Sequence, residues 1–152
     1  MLRWLLATIH LLALGIGLGA VWARGRALRQ PLDARGFRRV FEADAWWGVA
    51  ALLWLVTGLW RWLGGTEKAS AYYLANHIFL GKMVLFVAIV LLELSPMMAF
   101  MTWRRQVAAG QLPDVTRAAR LARISFVQAG LIVLMVLAAT AMARGYGARV
   151  SP

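Results

Sequence analysis

Five side chains able to do chemistry stand inside apolar stretches of this chain: His10, His77, Lys82, Glu93 and Gln128. Polar and ionisable groups in such stretches are costly, and they mark ligand, ion or proton sites. There is no cysteine, which removes disulfides, thiolate-held iron–sulfur clusters, thiolate haem ligands and cysteine-rich zinc sites. Imidazole, carboxylate, amine and amide are the groups left to carry a reaction or hold a cofactor.

Spacing divides these groups into two sets. His10 lies roughly 10–12 Å from one end of the first apolar stretch, and His77 roughly 8 Å into the third, entering from the same side. Two imidazoles at similar depth on different helices are what axial ligation of a haem, or shared ligation of a metal ion, requires. The alternative is that each is a neutral histidine bonded to a backbone carbonyl or a hydroxyl within a bundle. Arg61, with Arg3 and Lys68, either neutralises carboxylates of a ligand in that half, haem propionates among them, or serves as a simple interfacial anchor. Lys82 falls about 15 Å down the third stretch, near the middle of the bilayer. Ala75, Phe79, Lys82, Phe86, Ile89 and Glu93 share one helix face, with Lys82 and Glu93 about 16 Å apart along it. His77 points roughly 140° away from Lys82, so the histidine and the lysine serve different faces. Glu93 is expected to pair with Arg104, Arg105 or a loop arginine. Gln128 and Ser125 can bridge from the fourth stretch to Glu93 or to the backbone freed at Pro96.

The elements that must position these groups are membrane spans. Hydrophobic residues make up 62% of the 152 residues and fall in four blocks, at about 2–23, 44–63, 72–103 and 124–143. The expectation is an all-α, integral four-helix membrane bundle forming a single domain over 1–152. Block 2–23 exceeds the core of a signal peptide and is followed at once by Arg24, Arg26 and Arg29, so it is expected to remain as a span. Trp46 and Trp47 at one end of the second block, and Trp60 and Trp62 at the other, read as interfacial belts. Asp33 is a candidate cap for a short interfacial helix before that block, and Asp114 for the fourth helix. Pro96 removes one backbone donor from the third. In the first, His10, Ala13, Leu14, Gly17 and Val21 fall on one face, and Gly15 with Gly19 forms a GxxxG pair suited to close approach and homo-oligomer contact.

A net charge of +11 would suggest nucleic acid in a soluble domain. Here the arginines sit in loops between spans, where they set topology and meet anionic lipid, and no nucleic-acid partner is expected. The loops after spans one and three hold Arg24, Arg26, Arg29, Arg35, Arg38 and Arg39, and Arg104, Arg105, Arg117, Arg120 and Arg123. By the positive-inside rule these loops are cytoplasmic and both termini lie outside, in the periplasm.

The stretches HLLALGIGLGAVWAR, AWWGVAALLWLVTGLWR, GTEKASAYYLANHIFLGKM and ATAMARG resemble a family of bacterial inner-membrane proteins known as domain of unknown function 2214, over essentially the whole chain. That resemblance implies a multi-pass inner-membrane location and names no activity. More distantly, the histidine in span one and the histidine and lysine in span three resemble the copper-resistance D-like membrane proteins and the related four-helix protoporphyrinogen oxidases. The resemblance to the oxidases implies haem b and catalysis at residues that His10, His77 and Lys82 would match, although Lys82 follows His77 by five residues rather than three. The expectations are therefore a haem b-binding, redox-related protein with Lys82 as proton or substrate partner, an ion or metal transporter subunit using Lys82 and Glu93, or a non-catalytic membrane scaffold.

Overall fold

A computed structural model describes residues 1–63, with side chains to residue 60, and residues 76–146. Within these residues the chain forms four long helices: α1 (Leu2–Ala27), α2 (Ala34–Leu63), α3 (His77–Ala108) and α4 (Ala118–Ala143). Each is long and apolar enough to cross a membrane. All four run past the apolar blocks of the sequence. The expected short helix from Asp33 and the second span are one continuous α2, since no proline interrupts 34–63. Asp33 does cap it, its Oδ1 accepting from the Gly36 amide at 2.7 Å. A Cβ on Gly36 would collide with the Pro31 carbonyl oxygen, so glycine lets the chain reverse within the short α1–α2 connection.

Asn76 opens α3, its side chain accepting from the amides of Ile78 and Phe79. His77 is thus the first residue of the helix and is surface-exposed, not a turn or more inside as its sequence position suggests. Asp114 caps no helix. Its Oδ1 accepts from the Thr116 amide, and α4 begins at Ala118. Helices α3 and α4 both end in a Schellman motif, with Gly110 (φ 70°) and Gly145 (φ 88°) in the left-handed position.

Helix α1 packs along both α2 and α4, and α3 packs along α4. Helices α2 and α3 meet through side chains, Trp54 against Phe86 at 5.5 Å and Arg104 against Phe41 and Asp44. Two apolar cores fill the bundle. One holds Ala13, Leu14, Val21, Trp47, Trp54, Ile89, Ile132 and Met135. The other, toward the two Arg-rich loops, holds Ala27, Leu28, Phe37, Val40, Phe100, Trp103 and Leu121. The inward stripe of α1 is the one the sequence marks, and Gly17 on it brings α2 close: a Cβ there would lie 3.1 Å from the Trp47 ring.

Candidate functional site

Between the two cores lies a layer of charge. Arg24, on the inward stripe of α1 one turn beyond Val21, is 0% exposed. An arginine has five N–H donors and cannot shed its charge, so it tolerates burial only if acceptors surround it. Here each of the other three helices supplies them. Nη1 donates to Asp44 Oδ1 on α2 at 3.0 Å and to Glu93 Oε1 on α3 at 2.8 Å. Nη2 donates to Glu93 Oε2 and to Gln128 Oε1 on α4, both at 2.8 Å. Nε donates to Ser125 Oγ at 3.1 Å. The Glu93 contact is bidentate, the strongest geometry available to this pair.

The acceptors are themselves held. Gln128 Nε2 donates to Glu93 Oε2 at 2.8 Å and to the Ile89 carbonyl at 3.3 Å, and Ser125 donates to the Leu121 carbonyl. Asp44 Oδ2 accepts from Arg104 Nη2 at 3.1 Å, which carries the chain of charges Glu93–Arg24–Asp44–Arg104 out to an exposed guanidinium. Two cations and two anions leave the layer neutral. Its carboxylates are not sealed: the Glu93 and Asp44 side chains are 21% and 19% exposed, and both belong to the α2 and α3 pair that meets through side chains.

In sequence, the first core precedes Arg24 and Glu93 and follows Asp44 and Gln128, whereas the second does the reverse on every helix. The charged layer is therefore capped above and below by packed apolar side chains. Beyond the first core sits a second polar cluster. The His10 Nε2 accepts from Trp54 Nε1 at 3.0 Å, and its Nδ1 lies 2.9 Å from Thr57 Oγ1. Because Trp54 can only donate, Nε2 is the bare nitrogen and Nδ1 carries the proton. The Thr57 hydroxyl accepts it and donates to the Leu53 carbonyl at 2.6 Å. The imidazole faces α2, where Gly58 makes room for it: a Cβ there would lie 3.2 Å from the ring. The cavity between the two polar clusters is about 10 Å³, lined by Ala13, Leu14, Gly17, Trp47, Trp54 and Ile132, without polar partners that would hold water.

The structure thus brings Glu93, Gln128 and Ser125 together, with Arg24, one of the arginines counted in the loop after span one, as the partner of Glu93 rather than Arg104 or Arg105. Lys82 is half-buried on the inward stripe of α3 and takes no part in the Arg24 layer. Arg61 lies outside the residues whose side chains are described. A haem or metal held between His10 and His77 needs a bare ring nitrogen turned toward α3. In His10 both nitrogens are engaged on α2, and His77 is an exposed helix start, so the structure does not bring the two imidazoles to one site among the described contacts. Among the described residues no group of three or more histidines, aspartates and glutamates is arranged to hold a metal ion.

Arg24 and Asp44 are the functional residues that sequence reasoning passed over, Arg24 because it heads a run of loop arginines. The signal was present: the stripe His10, Ala13, Leu14, Gly17 and Val21 reaches Arg24 with one further step of three.

The sequence model of a family described as predicted membrane protein (DUF2214) matches residues 2–147, and the chain belongs to that family. No curated protein and no solved structure matches it.

Proposed function

We propose that the protein is a proton-linked ion transporter subunit of the bacterial inner membrane, with Glu93 as the exchanging carboxylate and Arg24 as its resident counter-charge. The observation that carries this reading is the 0% exposed guanidinium bound at once by acceptors from the other three helices, on a level closed above and below by apolar cores. Ionisable groups retained at such a level are characteristic of ion paths and relays.

The chemistry follows from one proton. Arginine keeps its charge, so the proton that the layer exchanges is carried by a carboxylate. Protonating Glu93 removes the anion that Arg24 grips bidentately and leaves the guanidinium with Asp44, Gln128 and Ser125. Helix α3 is then freed from α1 beside Pro96, where the Leu92 carbonyl already lacks its helical donor. Asp44, bound to the same Nη1 and to exposed Arg104, is the route by which a proton enters from the Arg-rich end. Lys82, on the same inward stripe of α3 about 16 Å away, is the next polar group along the path. The arginine bias supports reading the Arg-rich end as cytoplasmic and both termini as periplasmic.

Proteoliposomes loaded with a pH-sensitive dye test the reading. An imposed cation or pH gradient is expected to drive proton flux that falls at least ten-fold in Glu93→Gln and is lost in Lys82→Met, with helicity unchanged by circular dichroism. Equal flux in wild type and Glu93→Gln vesicles would overturn it.

A further inference from the structure

We infer that the outward groove between α1 and α4 is a binding site for one anionic phospholipid, with the acyl chain in the groove and the phosphate on Arg26, Arg29 and Arg123. The groove has a volume of about 600 Å³ and is walled by Gly15, Gly19, Trp22, Phe126, Gly130 and Val133. Positions 15, 19 and 130 are open: a Cβ built on any of them meets nothing within 4 Å. Among the described residues no other helix fills the groove, and its apolar walls suit a hydrocarbon chain.

Its Arg-rich end is built from aromatic and cationic groups. Trp22 meets Phe126 edge-on at 5.0 Å, and the absent side chain of Gly25 lets the Phe126 ring lie against α1. The Arg29 guanidinium stacks over that ring at 4.6 Å. Arg26 follows Trp22 by four residues and Arg123 precedes Phe126 by three, which puts both on the groove face at the same end. All three arginines are exposed, and among the described residues no carboxylate or carbonyl accepts from their guanidinium groups. Three unneutralised cations at the mouth of an apolar groove, at the level where headgroups lie, complement a lipid phosphate.

The same charge argues against a second copy as the occupant. Copies in one membrane share an orientation, so a two-fold contact through this face would bring both sets of arginines together. The site shares no residue with the Arg24 layer, so it stands or falls independently of transport.

The test uses the full chain in phosphatidylcholine vesicles doped with phosphatidylglycerol brominated in its acyl chains. The Trp22 emission is isolated as the difference from Trp22→Phe. Brominated phosphatidylglycerol is expected to quench it more strongly than brominated phosphatidylcholine, with about a five-fold preference per arginine. The triple variant Arg26→Gln, Arg29→Gln, Arg123→Gln should abolish the preference, and Gly130→Leu should reduce quenching by either lipid. Equal quenching by the two lipids in wild type, or a preference that survives the triple variant, would overturn the site. So would a crosslinked dimer that Gly15→Leu disperses while lipid preference stays unchanged, which would assign the groove to a second copy.

Discussion

An arginine at the end of an apolar helix ordinarily extends outward to the headgroups. Arg24 turns inward because α1 carries it on the same face as Val21, and because each neighbouring helix offers an acceptor at that level. Removing the cation leaves Glu93 without its counter-charge and Asp44 with Arg104 alone, so Arg24→Leu is expected to cost about 3–5 kcal/mol of stability, read by tryptophan fluorescence during denaturation in detergent. The double variant Arg24→Leu, Glu93→Leu should recover part of that loss, since removing both partners is cheaper than stranding one. Overpacking acts at Gly17, where a leucine would press on the Trp47 ring and is expected to destabilise by about 1–3 kcal/mol. The inward stripes of α1 and α3, including Glu93 and its bridge to Gln128, were legible from spacing alone. That a loop arginine could pair with Glu93 was legible too, but not which one, because spacing along one helix does not say which of fifteen arginines another helix will present.

At the scale of the helix, apolar blocks mark what is buried in lipid, whereas caps and left-handed glycines mark where the helix stops. This is why α2 starts ten residues before its apolar block and α3 runs past Trp103 to Ala108. The depth of His77 was misjudged for the same reason: the Asn76 cap, not the start of the apolar run, begins α3. Gly110 closes α3 at φ 70°, so Gly110→Ala should cost about 1 kcal/mol and expose the last carbonyls, measured as faster amide exchange at Gln111. The Thr116 amide, by donating to Asp114, holds that carboxyl below its ordinary range. A depressed value means the turn is supported throughout neutral pH and loses that support only as pH falls below the usual carboxylate range. The Thr116 amide should therefore keep its protection at mildly acidic pH and lose it in Asp114→Ala.

For the whole molecule, four spans and the α-only architecture follow from composition and charge placement, but the order of packing does not. Which helices lie side by side decides that His10 faces Trp54 and Thr57 on α2. Titrating the purified protein with haem is accordingly expected to give no Soret band that His10→Ala removes; a band dependent on both His10 and His77 would establish the haem-binding alternative. Single cysteines placed in this cysteine-free chain report orientation directly. One at position 35 should be labelled only from the cytoplasmic side and one at position 2 only from outside.

The acceptors of Arg24 also have an order in time. Synthesis delivers the guanidinium first, then Asp44, then Glu93, and Ser125 and Gln128 last. Until α4 arrives, Nε and one N–H of Nη2 have no acceptor in the layer and must stay with water or lipid phosphate, while Asp44 and Glu93 already hold the other three N–H groups. The last helix completes the coordination and draws the cation to its final level. The full set of five bonds therefore exists only once all four helices are in place, and a chain that stops short of α4 keeps two of the arginine's N–H groups without their acceptors.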